Sequence, residues 1–232
     1  MKMPQKDILW FVSNCKSPND RLKLAQELRI SLGGRLMIDQ FGSCNRLWPK
    51  STPEVNWLLC LLFNKHFIQD LRLGRGRGDW NTVNATFYEQ YKFYLSFENS
   101  NCRDYITEKL FKVLQLKSVI PLTLGGLSKD DYNKVIPPHS FIHVDDFSNV
   151  RKLADYLVYL ANNLTAFSEY FWWKEEYRVQ MLNEFKEPVE NLPEKFNPLC
   201  NFCRILHQHG KNVRRKNIRD YWSLDNCKRP YK

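Results

Sequence analysis

Three side chains near the middle of the chain have the types and spacing to bind a phosphate and a sugar. A helix through Tyr105, Glu108 and Lys109 would carry all three on one side. A lysine in the first turn of a helix opposes the helix dipole, and a phosphate bound beside it would relieve that conflict. Glu108 could accept hydrogen bonds from sugar hydroxyls, and Tyr105 could stack on a base or donate. An ordinary amphipathic helix with an exposed glutamate and lysine is the alternative.

A second positive charge could reach the same cleft from an earlier part of the chain. A short apolar run ends in Ser13 and Asn14, and Arg21 follows one loop later. A guanidinium can bind two phosphate oxygens at once, so Arg21 could be a second phosphate clamp. The alternative for Arg21 is a surface arginine on a helix.

The elements that must position these residues alternate between strands and helices. Apolar runs predict strands over residues 8–13, 35–41, 91–97, 119–124 and 141–144. Helical periodicity and capping residues predict helices over 20–32, from a cap at Asp104 to residue 114, over 150–164 and over 165–174. This alternation predicts an α/β fold with a doubly wound, mostly parallel sheet. In such folds ligands bind beyond the carboxyl ends of the strands, where the candidate residues fall.

Length, composition and charge limit the possible classes of protein. The chain has 232 residues, 14% of them aromatic, which is enough to bury a core and excludes a disordered chain. The longest apolar run, residues 57–63, is far shorter than the ~20 residues of a membrane span. A net charge of +10 favours an anionic partner, which could be nucleic acid, lipid headgroups or a phosphorylated small molecule. The basic clusters at residues 72–77 and 211–219 are typical of solvated loops or tails.

The seven cysteines leave two kinds of chemistry open. Cys200 and Cys203, followed by His207 and His209, suggest a zinc site. No second ligand pair lies at the spacing of a zinc finger, so a disulfide or free thiols is the favoured interpretation.

The block YKFYLSFENSNCRDYITEKLF, residues 91–111, resembles the signature of the α1,3/4-fucosyltransferases of glycosyltransferase family 10. The resemblance continues through VSNC at 12–15, IPLTLGG at 120–126, DDY at 130–132, PPHSFIHVDDF at 137–147, LADYLVYLANN at 153–163 and EYFWWK at 169–174. It covers roughly residues 8–174. The resemblance implies two Rossmann-like domains facing a cleft, with this chain as the C-terminal, donor-binding half of a GT-B glycosyltransferase.

The resemblance also implies a reaction, the transfer of fucose from GDP-fucose to a GlcNAc hydroxyl of a glycan with inversion. Arg21 and Lys109 would then bind the diphosphate, Glu108 the ribose, and Asn99 and Tyr105 would line the nucleotide site. Secondary candidates at the same strand ends are Ser13, Asn14 and Glu98. Protein cations can stabilise the departing GDP, so no metal and no cofactor beyond the donor substrate is expected. The pair Asp145 and Asp146 is interpreted as structural.

The resemblance divides the chain into parts. We expect a short lead-in at 1–7, a GDP-fucose-binding domain at 8–175 with an irregular insertion at about 49–88, and a helical or irregular tail at 176–232. The family's acceptor-binding domain, with the general base, and its membrane anchor precede the first strand, so both are expected to be absent here and no catalytic residue is identified. The chain is therefore expected to be a fragment, a splice form or a truncated paralogue.

The resemblance also implies a location in the Golgi, where the family acts on glycans of glycoproteins or glycolipids. In that compartment proteins are glycosylated and form disulfides, which bears on two further features of the chain. The sequons at Asn84 and Asn163 become candidate glycosylation sites. The family places disulfides near Cys200 and Cys203, whose partners could be each other, Cys227 or cysteines of the missing half. Two alternative functions stay open: a non-catalytic GDP-sugar-binding protein, and a nucleic-acid-binding module, which is disfavoured because the basic clusters lie outside the patterned core.

Overall fold

A computed structural model describes residues 2–44, 85–179 and 227. Its centre is a sheet of five strands in the order β2-β1-β3-β4-β5, in which every neighbouring pair is parallel. The strands are β1 Lys6–Phe11, β2 Ile38–Phe41, β3 Tyr91–Phe97, β4 Ile120–Leu124 and β5 Ile142–His143. The predicted α/β fold class with a parallel sheet is confirmed.

Helices cover both faces of the sheet. They are α1 Arg21–Leu32, α2 Ala85–Tyr88, α3 Glu108–Leu114, α4 Lys129–Tyr132, α5 Val150–Asn162 and α6 Leu164–Ser168. The apolar sides of α1 and α5 pack with Ile8 and Trp10 on one face, while α2 and α3 cover Leu9 on the other. All seven residues of β3 are buried, because this central strand has helices on both sides.

Two predicted helices differ from the structure. The helix predicted from Asp104 begins only at Glu108, because Asp104 has a left-handed φ of 58° and Thr107 is the extended N-cap. The helix predicted over 165–174 is the short α6 followed by a 3-10 helix, Glu169–Glu175. The three-residue period of that 3-10 helix brings Tyr170 and Trp173 to the same buried side.

A partly buried ion pair and a backbone hydrogen bond hold the amino ends of three strands together. Lys92 Nζ lies 2.7 Å from Asp7 Oδ1, and the backbone N–H of Met37 donates to Asp7 Oδ2 at 3.0 Å. Lys92, the second residue of the block at 91–111, therefore lies at the end of the sheet opposite to the candidate site, where it has a structural role.

The chain divides into two compact units, residues 1–177 with 227–232, and residues 178–226. The sheet belongs to the first unit. Several predicted features lie outside the described residues: the insertion up to Asn84, the basic clusters, the tail with Cys200, Cys203, His207 and His209, and the Asn84 sequon. No helix in the described ranges is long and apolar enough to cross a bilayer.

Candidate functional site

The strand order creates a crevice between β1 and β3. The chain leaves β1 towards β2 on one side and leaves β3 towards β4 on the other, so the two connections diverge. This topological switch point is where open α/β sheets bind ligands, outside the carboxyl ends of the strands. The loops that follow, residues 12–20 and 98–107, carry most of the predicted site residues.

Arg21 joins the carboxyl ends of the two strands. Its Nη1 donates to the Phe97 carbonyl at 2.8 Å and its Nη2 to the Asn14 carbonyl at 3.1 Å. The residue is only 3% exposed. Desolvation by burial lowers the pKa of Arg21, and the nearby Glu98 carboxylate partly offsets this effect. The predicted phosphate role of Arg21 stays a prediction, and the structure adds a structural role beneath the crevice.

Asn19 makes a second cross-link between the same loops. Its Nδ2 donates to the Glu98 carbonyl at 2.8 Å and to Asn101 Oδ1 at 2.9 Å, and all three residues are buried. Sequence reasoning did not identify Asn19. Its position before Asp20 indicates a turn but does not indicate the partners, which lie about eighty residues away.

The Glu98 carboxylate is the centre of the site. It accepts the backbone N–H of Thr107 at 2.7 Å, the Thr107 hydroxyl at 2.8–2.9 Å and Lys109 Nζ at 3.2 Å. Glu98 is 2% exposed. Its oxygens therefore satisfy a donor at the N-terminus of α3. Its negative charge also interacts favourably with the positive end of the helix dipole.

Lys109 lies in the first turn of α3 with its ammonium group surrounded by oxygens. Besides Glu98, Nζ contacts Thr107 Oγ1 at 2.7 Å and Glu108 Oε1 at 3.5 Å. Its side chain is 21% exposed, so the ammonium is partly shielded from water. Two carboxylates of the chain itself thus relieve the conflict between this lysine and the helix dipole.

The other predicted residues lie on the same two loops and the start of α3. Asn99 Oδ1 is buried without a hydrogen-bond partner among the described residues. Tyr105 is half-buried in the loop before α3, so it does not share a helix face with Lys109 as the spacing suggested. Glu108 is the exposed first residue of α3, and Ser13 and Asn14 are exposed after β1. Their predicted binding roles stay predictions.

Two disulfides fix the loops of the site. Cys15 in the loop after β1 pairs with Cys44, and Cys102 in the loop after β3 pairs with Cys227. The suggestion that Cys227 is a partner of the tail cysteines is therefore wrong. The sequence shows which residues are cysteines, but their pairing depends on which loops the sheet brings together.

A close backbone approach also holds the loop of Cys102. A Cβ atom on Gly126, just after β4, would collide with the Cys102 carbonyl oxygen. Only glycine permits this contact, which presses residues 98–107 against the end of β4.

The opposite end of α3 is held by a lysine that sequence reasoning did not single out. Lys174 Nζ donates to the carbonyls of Leu114 and Leu116 at 2.8 and 2.7 Å. It also lies 4.4 Å from the centre of the Trp173 ring. Burial lowers the pKa of Lys174 to about 8. A carboxylate at the N-terminus and an ammonium at the C-terminal end thus complement the α3 dipole.

His143, Asp145 and Asp146, close to the site, have structural partners. His143 is buried, its Nδ1 accepts the Asp145 N–H, and its Nε2 lies 3.2 Å from the Leu127 carbonyl. Asp145 and Asp146 form a 3-10 turn, and Asp146 pairs with Lys129 at 2.7 Å. Over the described ranges, no group of three His, Cys, Asp or Glu side chains is arranged to hold a metal ion.

Comparison with known proteins places these features in a family. The model described as "Glycosyltransferase family 10 (fucosyltransferase) C-term" matches residues 1–222. The chain belongs to glycosyltransferase family 10. It is 34% identical over 200 residues to alpha-(1,3)-fucosyltransferase fut-1 of Caenorhabditis elegans, covering 86% of this chain and 38% of the relative. It is also 34% identical over 172 residues to glycoprotein 3-alpha-L-fucosyltransferase A of Drosophila melanogaster, covering 73% and 27%.

Solved structures agree on the fold of this family 10 chain. A crystal structure of an α1,3-fucosyltransferase with GDP-fucose superimposes with a TM-score of 0.51 at 23% identity, over 92% of this chain and 50% of that chain. The chain therefore spans half or less of the lengths of these relatives. The predicted family is confirmed, and the fold agrees with it.

Proposed function

We propose that this chain carries the GDP-fucose-binding site of an α1,3-fucosyltransferase, which transfers fucose to a GlcNAc hydroxyl of a glycan with inversion. The observation that supports it is the position of Lys109 and Glu108 at the start of α3, beside the switch point between β1 and β3. The buried, unpartnered Asn99 oxygen at the same edge supports a polar ligand. The relatives named above, which are α1,3-fucosyltransferases, support the choice of donor.

In the proposed reaction the bond between fucose C1 and the β-phosphate oxygen breaks, and GDP departs with the electron pair. The acceptor oxygen attacks C1 from the opposite face and loses its proton to a general base. Negative charge grows on the diphosphate, so a preorganised ammonium beside it stabilises the transition state. We assign that role to Lys109, and we assign no residue of this chain as the base.

The contacts of Lys109 suggest how the diphosphate would enter. Glu98 and Thr107 hold the ammonium from inside the loop, while Glu108 lies at 3.5 Å with its side chain 49% exposed. A phosphate oxygen would replace Glu108 as the outer contact of Lys109. The Lys109–Glu108 ion pair is longer and more exposed than the Lys109–Glu98 pair, and it is therefore the weaker of the two. Glu108 would then be released towards the ribose hydroxyls, as its predicted role requires.

Arg21 would contribute a positive charge from below the crevice. Its two hydrogen bonds fix the backbone ends of β1 and β3. A fixed charge in a desolvated position acts on a nearby diphosphate more strongly than one in water. We propose that the main role of Arg21 is to hold the loops after β1 and β3 in place.

We further propose a Golgi location and a glycoprotein acceptor. The two disulfides support an oxidising compartment. The name of the Drosophila relative supports a glycoprotein acceptor over a glycolipid. Asn163 caps α6 through its Oδ1, which accepts the Ala166 N–H, and its proposed glycosylation is a further expectation of this location.

The test is GDP binding to the full chain by isothermal titration calorimetry. Lys109→Ala removes a charge-assisted contact to phosphate, so GDP should bind about 10- to 150-fold more weakly. Lys117→Ala, an exposed lysine after α3, is the matched control and should bind as the unsubstituted chain does. Absence of GDP binding, or equal losses in both variants, would refute the proposal. GDP binding without fucose transfer to a GlcNAc-bearing glycopeptide would favour the non-catalytic alternative.

A further inference from the structure

Tyr132 is a buried residue that brings a hydroxyl to the same edge of the sheet. It is the last residue of α4, only 1% exposed, and its ring contacts those of Phe141 and His143 at 5.4 and 5.3 Å. Burial raises the pKa of Tyr132, and Glu98 and Asp145 raise it further. The phenol is therefore protonated at every physiological pH and can donate a hydrogen bond.

Gly125 makes room for this hydroxyl at the carboxyl end of β4. A Cβ atom on Gly125 would collide with Tyr132 Oη, and Glu98 Cγ lies 3.8 Å from the same point. The hydroxyl and the Glu98 side chain therefore both lie close to Gly125. Because Glu98 binds Lys109, Tyr132 Oη is next to the group of residues proposed to bind the donor.

Within the part of the chain that the structure describes, this hydroxyl makes no hydrogen bond, and its oxygen keeps a little contact with solvent. The Asn99 Oδ1 acceptor on the neighbouring loop is fully buried and has no partner among the described residues. A fully buried polar atom without a partner, such as Asn99 Oδ1, costs about 1–3 kcal/mol, so proteins rarely retain one unless a ligand or water satisfies it. The loop after β3 thus carries a buried unpartnered acceptor, and the connection after β4 carries a hydroxyl that is free to donate to a ligand.

The charges around Tyr132 limit the kind of group that would bind beside it. Glu98 and Asp145 are the acidic groups that act on it, and they disfavour a phosphate at this point. A sugar hydroxyl is neutral and can both donate and accept, which suits a phenol donor near carboxylates. GDP-fucose offers such hydroxyls on its ribose and on its fucose.

We propose that Tyr132 is a further donor-binding residue, whose Oη donates a hydrogen bond to a sugar hydroxyl of the bound nucleotide sugar. The inference rests on the proposed function, since it assumes that GDP-fucose occupies this edge. It adds the connection between β4 and β5 to a site that otherwise consists of the loops after β1 and β3 and the start of α3. Glycine at position 125 becomes part of the site, because a larger residue would fill the space of the hydroxyl.

The experiment is Tyr132→Phe, which keeps the ring contacts and removes only the hydroxyl. Calorimetry with GDP and with GDP-fucose should show about 3- to 10-fold weaker binding. A loss for both ligands assigns the contact to ribose, and a loss for GDP-fucose alone assigns it to fucose. The melting temperature without ligand should be unchanged or higher, because the substitution removes a hydroxyl that has no partner.

The matched control is Tyr156→Phe on α5, whose hydroxyl bonds Tyr170 at 2.8 Å. It should lower the melting temperature and leave both affinities unchanged. Unchanged affinities in Tyr132→Phe would overturn the inference while leaving the proposed function intact. A lower melting temperature in Tyr132→Phe with unchanged binding would show a purely structural hydroxyl and would also overturn it. Failure of the unsubstituted chain to bind GDP would overturn the proposed function, and this inference with it.

Discussion

Replacing Glu98 by glutamine tests whether the buried carboxylate organises the site. The amide oxygen of Glu98→Gln can still accept both donors of Thr107, but its NH2 group then faces Lys109 Nζ, which lies 3.2 Å from Oε2. One charge-assisted hydrogen bond is lost, worth about 1.5–3 kcal/mol. The negative charge at the start of α3 is lost as well, worth about 0.3–1 kcal/mol. The free energy of unfolding should therefore fall by about 2–4 kcal/mol.

Urea denaturation followed by tryptophan fluorescence measures this loss, with the disulfides kept oxidised. The matched control is Glu108→Gln, which removes a carboxylate from the same helix end and the same lysine, but from a side chain that is 49% exposed. That variant should lose less than about 1 kcal/mol. If Glu98→Gln cost no more than Glu108→Gln, Glu98 would not be the anchor of the loop and of α3.

Two further predictions concern the supports of the site. Lys174→Met should lower the free energy of unfolding by about 1–2 kcal/mol through the loss of the two carbonyl contacts. Its pKa is lower in the folded chain, about 8, than the ordinary 10.5, so the unfolded chain binds more protons between these values. The stability of the unsubstituted chain relative to this variant should therefore rise from pH 8 to 10.5, and a flat difference would contradict the assignment. Serine substitution of the Cys102–Cys227 pair, 125 residues apart, should lower the free energy of unfolding by about 1.3 kcal/mol more than substitution of the Cys15–Cys44 pair, 29 residues apart, because the longer loop costs more entropy to close. Equal losses of stability in urea denaturation would contradict this order.

The sequence by itself predicts all five strands, since each is a short apolar run followed by a polar turn or glycine. It also predicts α1, which begins after Asp20 and ends at Gly33 with the left-handed φ of 57° that glycine favours. The family follows from the block around Glu98, whose residue order is specific enough to identify it. These features depend on neighbours close in the chain, so local pattern is sufficient.

The start of α3 shows where local pattern fails. Asp104 is a good capping residue by type, yet the helix begins at Glu108, because the cap is completed by Glu98 from the loop directly after β3. The hydroxyl-bearing Thr107 directly before the helix was the available signal for the true start.

The remaining features of the site were decided by tertiary structure alone. The sheet order brings Arg21 to the carbonyl of Phe97, Asn19 to Asn101, and Cys102 to Cys227. These partners are separated by about eighty to more than a hundred residues, and no local spacing encodes such contacts. The sequence determined which chemical groups the protein has and which segments become strands. The parallel packing of those strands determined which groups meet, because it collects the carboxyl ends of distant segments at one edge.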